Sequence, residues 1–173
     1  MLMNLKPVVL ASACLLLIYS SSCKKDPAEE SKQFCYNTET VSPTPQASDS
    51  ILVYIPTAFS PNGDQLNESF FITAHGIQAY NCKITAGNRL IFESNDPQIS
   101  WDGKVDGNVA FGLFEYEITV SNKTGSNFTY TGKLSSLDGQ QAVEGCASCR
   151  FPDQVNPDEG FVRPTNEPLI CSQ

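Results

Sequence analysis

Asn62, Asp64, Asn67 and Glu68 set four oxygen-bearing side chains close together, beside Pro61 and an Asn62-Gly63 turn pair. Calcium takes roughly six to eight oxygens from such side chains, backbone carbonyls and water, and acidic loops supply them. Only Asp64 and Glu68 of this set carry charge. The same residue types also close Asx turns, in which a side-chain oxygen accepts a hydrogen bond from a backbone N–H two positions on. The stretch therefore either holds calcium or caps itself through Asn62 and Asp64, with Asn67 capping the segment that follows. Its scarcity of charge favours self-capping.

A second constellation is Trp101-Asp102-Gly103, which contains the sole tryptophan. A large indole suits a core position if its N–H finds a partner, and Asp102 suits a backbone bond within the turn. A ring stacked on a sugar is the alternative reading, and it keeps a glycan among the candidate ligands. Of the seven cysteines, Cys35, Cys146, Cys149 and Cys171 flank the central block and Cys82 lies within it. Cys146-Ala147-Ser148-Cys149 has zinc-knuckle spacing, but a structural zinc needs more ligands than these two, and the sole histidine, His75, falls in a loop between strands. Disulfides are the default outside the cytoplasm. Four flanking cysteines allow two bridges in any of three connectivities. A direct Cys146–Cys149 bond is tight, so pairings that tie the amino-terminal segment to the tail are favoured. Cys82 reads as a buried free thiol. With one histidine, no Gly-x-Ser-x-Gly and no phosphate-binding glycine loop, no catalytic set assembles. Glu115 and Glu117 share the outward face of one strand, which reads as solvated charge rather than an acid–base pair.

The elements that must position these residues follow from pattern. Residues 1–22 carry one basic residue, Lys6, then an apolar run and Ser20-Ser21-Ser22 before Cys23, which is the layout of a secretory signal. Small residues before a cysteine, with Lys24-Lys25-Asp26 after it, resemble a bacterial lipoprotein signal, and that resemblance implies lipidation at Cys23. Two acyl chains on one cysteine make a stable anchor. Residues 23–50 hold Pro27, Pro43 and Pro45 among polar side chains with no apolar period, as expected of a disordered tether. From Cys23 onward 10 basic side chains face 19 acidic ones. With no basic stripe to neutralise phosphates, nucleic acid is excluded as a partner.

Residues 51–137 read as β throughout, with strands expected at 51–55, 69–74, 77–85, 89–94, 113–122 and 128–137. The clearest is 113–122, where Phe114, Tyr116, Ile118 and Val120 alternate with Glu115, Glu117, Thr119 and Ser121. Tyr80, Cys82 and Ile84 repeat the pattern in the segment before. Six or seven short strands without helical periodicity predict an all-β, antiparallel β-sandwich of immunoglobulin type. Residues 138–173 are broken by glycine and proline and punctuated by Cys146, Cys149 and Cys171, which predicts an irregular, disulfide-pinned tail.

Residues 55–137 resemble the gliding-motility-associated C-terminal domain, which also serves as the type B sorting domain of the type IX secretion system. The resemblance is carried by Ile55-Pro56-Thr57-Ala58-Phe59-Ser60-Pro61-Asn62-Gly63-Asp64 with Asn67-Glu68, and by Arg89-Leu90-Ile91-Phe92-Glu93-Ser94. Tyr80-Asn81-Cys82-Lys83-Ile84, Trp101-Asp102-Gly103, Gly112-Leu113-Phe114-Glu115-Tyr116 and Tyr130-Thr131-Gly132-Lys133-Leu134 complete it. It implies an immunoglobulin-like sandwich. Gln65 stands where the family loop usually has glycine. In the family the domain closes a long chain and acts as an export address, whereas about 36 residues follow it here. The combined expectation is a non-catalytic outer-membrane lipoprotein, surface-exposed or periplasmic. It would hold the membrane through its lipid and dock to an envelope or surface protein of the secretion and gliding apparatus. A sorting domain on a minimal cargo and a glycan-binding accessory lipoprotein are the alternatives.

Overall fold

The computed structural model describes residues 33–36, 38–156 and 162–172. Its strands are β1 (Gln33–Phe34), β2 (Thr40–Ser42), β3 (Leu52–Tyr54), β4 (Ala58–Phe59), β5 (Thr73–His75) and β6 (Ile77–Ala86). They continue with β7 (Arg89–Ser94), β8 (Lys104–Val105), β9 (Asn108–Val109), β10 (Gly112–Asn122), β11 (Asn127–Ser136) and β12 (Val143–Glu144). The main sheet runs β2-β11-β10-β6-β7, and β4 joins β11 in parallel at its far end. The expected signal peptide, residues 1–22, and Cys23 lie outside the described residues.

Alternation builds the main sheet. Register places Ile118 between Cys82 and Tyr130, and Val120 between Tyr80 and Phe128, so one face is continuously apolar. Cys82, Ile84, Ile118, Val120 and Leu134 on that face have no exposure at all. On the other face Glu117 lies between Lys83 and Thr131, and Glu115 between Thr85 and Lys133. The two glutamates are exposed. Side chains of successive residues point to opposite faces of a strand, so this partition follows from the sequence period.

A thinner second layer covers the apolar face. It comprises the antiparallel β3–β5 pair, the β8–β9 pair, and a bridge in which Phe70 and Trp101 exchange backbone hydrogen bonds of 2.8 and 3.0 Å. Phe70 and Trp101 of this layer pack with Ile55, Phe59 and Ile72 into one core with Phe114, Tyr116 and Ile118 of the sheet. The fold is an all-β sandwich with a cysteine-containing tail. The strand expected at 69–74 shifts to Thr73–His75, because Phe70 is spent on the Trp101 bridge and Phe71 turns outward. His75 accordingly ends β5 rather than lying in a loop. Cys82 is a buried free thiol, and burial raises its pKa to about 11.

The structure corrects the tether. Residues 33–36 and 38–50, expected to be disordered, belong to the folded unit: β1 pairs with β12 in parallel and β2 extends the main sheet on β11. Two- and three-residue strands are too short to show a period. They are held by backbone bonds to edges already present, and by Cys35. The tail is irregular and disulfide-pinned. Around it a second small core forms from Cys35, Ala58, Leu137, Val143, Cys149 and Phe151.

Gly132 sits directly across from Tyr116 on β10, and the phenol ring lies over it. A Cβ at position 132 would fall 2.6 Å from Cζ of that ring. This is the aromatic cover that compensates a glycine within a strand. Overpacking of this kind costs about 1–3 kcal/mol. Gly132→Ala is therefore expected to lower the unfolding free energy by that amount, read as a lower urea midpoint at an unchanged m-value, whereas an unchanged midpoint would show that the ring moves aside freely.

Candidate functional site

The stretch opening at Ile55 forms a corner where the sandwich, the Trp101 turn and the tail converge. The hydrogen bonds of Asn62, Asp64 and Glu68 to backbone are local. Asn62 Oδ1 accepts from the Asp64 N–H at 2.9 Å, and Asp64 Oδ1 accepts from the Leu66 N–H at 2.8 Å, so each closes an Asx turn. Glu68 Oε2 accepts from the Gly63 N–H at 3.0 Å and its Oε1 from the Gln65 N–H at 2.8 Å. These oxygens are engaged by backbone donors. Among the described residues no three His, Cys, Asp or Glu side chains come together as metal ligands. Gln65 has φ 72°, in the left-handed region. A side chain in that region costs roughly 1–2 kcal/mol.

Asn67 does not cap the following segment as expected. It takes φ 47°, its Oδ1 accepts from the Asp153 N–H at 3.1 Å, and its Nδ2 donates to Glu167 Oε2 at 3.0 Å. Both partners are tail residues about 90 to 100 positions away. Asp153 is itself a hub, accepting from Thr165 Oγ1 and from the N–H and side-chain amide of Asn166. Thr57 makes a second clasp. Its N–H donates to the Arg150 carbonyl, its hydroxyl donates to the Ser148 carbonyl, and the Arg150 N–H donates back to that hydroxyl. The corner thus holds the tail by its backbone.

Trp101 is 2% exposed and lies with its ring centroid 5.3 Å from Phe59 and 4.8 Å from Phe114. Its indole N–H donates to the Lys104 carbonyl at 3.1 Å. A ring buried on both faces has no surface to stack on a sugar, so the glycan reading loses its residue. Asp102 Oδ1 accepts from the Lys104 N–H, and Lys104 Nζ meets Oδ2 at 2.5 Å. Gly103, at φ 75°, passes so close to the corner that a Cβ would lie 2.8 Å from Pro61 Cγ. The two motifs therefore meet: Pro61 fixes why position 103 carries no side chain.

The four flanking cysteines pair as Cys35–Cys149 and Cys146–Cys171. Cys146-Ala147-Ser148-Cys149 thus sends one bridge to each end of the chain. Glu39 and Arg150, whose charged groups lie 3.5 Å apart, and Tyr116, which donates to Glu39 at 3.4 Å, were missed in the sequence reading. Burial, reinforced by the Glu39 charge, raises the Tyr116 pKa. Neither residue stands in a local motif. Only tertiary pairing joins them.

No family model matches the chain, and no curated protein or solved structure matches it either. Fold and corner define its class: a disulfide-stapled β-sandwich whose tail is clasped to the opening loop.

Glu167 is the most confined acid of the corner, 6% exposed, with Oε1 lacking a hydrogen-bond partner. Burial raises its pKa; bonds from Asn67 and Ser60 oppose the rise, and Asp64 and Asp153 add to it. A carboxyl whose folded pKa lies above its unfolded value of about 4.3 favours folding below that value and loses the contribution as pH rises through the folded pKa. Glu167→Gln keeps the shape and removes the charge. The variant is expected to unfold with a flatter pH dependence above the acid range and to equal or exceed the parent stability at neutral pH. Parallel stability curves for the two proteins would show that Glu167 titrates as freely folded as unfolded.

Proposed function

We propose that this chain is a lipid-anchored envelope protein whose sandwich is a non-catalytic interaction module, docking to an envelope or surface protein of the type IX secretion and gliding apparatus. The observation that carries this reading is the pair of disulfides Cys35–Cys149 and Cys146–Cys171, because bridges of this kind belong to oxidising, extracytoplasmic compartments. The resemblance to the gliding-motility-associated C-terminal domain supports it. The residues of that resemblance line the corner and the core.

The outer face of the main sheet offers the partner a broad groove of about 530 Å³. Lys83, Glu115, Glu117 and Lys133 line it, together with Thr85 and Thr131. A flat floor of mixed charge suits a polar protein surface of complementary pattern, which sets register and encounter rate. Affinity capture from solubilised envelope membranes tests this with the whole chain as bait. A discrete envelope protein should be enriched, and exchanging both Glu115 and Glu117 for glutamine, which sets no like charges opposite Lys133 and Lys83, should sharply reduce its recovery while the fold is retained by circular dichroism. Recovery of no envelope protein, or equal recovery by the charge-neutralised bait, would overturn the assignment.

A further inference from the structure

Residues Phe34, Tyr36 and Leu113 lie together on the outer face, at the end of the sheet where the chain enters the fold. They line one shallow cleft with Gln33, Gly112 and Ser135. The cleft holds only about 40 Å³, too little for a ligand, so it is a surface feature rather than a pocket. The rings of Phe34 and Tyr36 are 5.9 Å apart, Leu113 is 43% exposed, and Phe111 just before it is 47% exposed. Lys133 places its ammonium 5.0 Å from the Tyr36 ring centroid. The patch is apolar and aromatic with a flexible cation at its margin. Tyrosine rings and lysines that extend their heads to water are the side chains found at a bilayer interface.

Position along the chain says what covers this patch. β1 begins at Gln33, ten residues after Cys23. A chain of that length spans at most about 35 Å even when fully extended. If Cys23 carries the lipid, as the proposed function holds, the bilayer surface lies within that distance of Phe34. A leash this short gives the tethered patch a high effective concentration at the membrane, so a small apolar surface suffices for engagement. The charge of the patch itself also matters. Lys133 borders it and Glu115 stands one strand over, so the contact suits a zwitterionic surface better than a strongly anionic one.

From this we infer that the cleft around Phe34, Tyr36 and Leu113 docks on the lipid bilayer, seating the sandwich against the membrane by its chain-entry end. The inference rests on lipidation at Cys23, and the test separates the two. The acylated chain is reconstituted in phosphatidylcholine and phosphatidylethanolamine vesicles containing a photoactivatable lipid. Intact mass reports acylation, and peptide mapping locates the cross-links. Cross-links concentrated on residues 33–36 and 111–113, and lost in Leu113→Glu at unchanged melting temperature, are the expected result. Should that variant not fold, Tyr36→Ser serves in its place. Cross-links on an acylated chain that fall only before Gln33, or scatter over the sandwich, would overturn the docking while leaving the anchor in place. A mature chain without acyl groups on Cys23 would overturn the anchor, and the docking with it.

Discussion

The Cys35–Cys149 bond joins residues 114 apart, and the arrangement of both chain ends depends on it. Cys35 brings in the amino-terminal segment, and Cys149 lies one residue before Arg150, whose carbonyl accepts the Thr57 and Ala58 N–H groups. The bond therefore fixes three separate stretches at one place. β1 could not pair with β12, nor Glu39 reach Arg150, if the two segments were free to part. Each backbone hydrogen bond there contributes only about 0.5–1.5 kcal/mol. Segments as short as β1 and β12 could not persist on that alone.

Around this fastening the molecule is built in two cores. The larger belongs to the sandwich and is centred on Phe59, Phe70, Trp101 and Phe114, whose rings meet at tilted and edge-on angles. The smaller belongs to the tail and packs Leu137, Val143 and Phe151 against the cystines. The corner at residues 55–68 touches both. Ile55 and Phe59 enter the first core and Ala58 the second. A loop with that task must be rigid, which explains why its polar side chains are turned on its own backbone. The oxygens that suggest calcium are the ones that hold the turn.

Much of this was legible in the sequence, and the reason is periodicity. β10 could be read residue by residue because Phe114, Tyr116, Ile118 and Val120 need one face and Glu115 and Glu117 the other. The buried Trp101, the free Cys82 and the self-capping of Asn62 and Asp64 followed from side-chain chemistry within a few positions. What escaped was non-local. Gln33, Cys35 and Glu39 sit in a polar, proline-bearing segment that has no core of its own, and they fold only against β12 and the tail. Asn67 looked like a cap because its partners, Asp153 and Glu167, lie far along the chain. Glu167 looked like one more surface acid. Cysteine spacing allowed three connectivities, and only the juxtaposition of β1 with β12 selects one.

The Cys35–Cys149 disulfide is the principal fastening of the folded unit. The direct measurement compares urea unfolding of Cys35→Ser/Cys149→Ser with that of Cys146→Ser/Cys171→Ser. Loop-closure entropy grows with the span enclosed, and the bridges span 114 and 25 residues. On that basis the first pair should lose about 5 kcal/mol and the second about 3.5 kcal/mol. A Cys35–Cys149 variant that loses less stability than the Cys146–Cys171 variant would contradict the account.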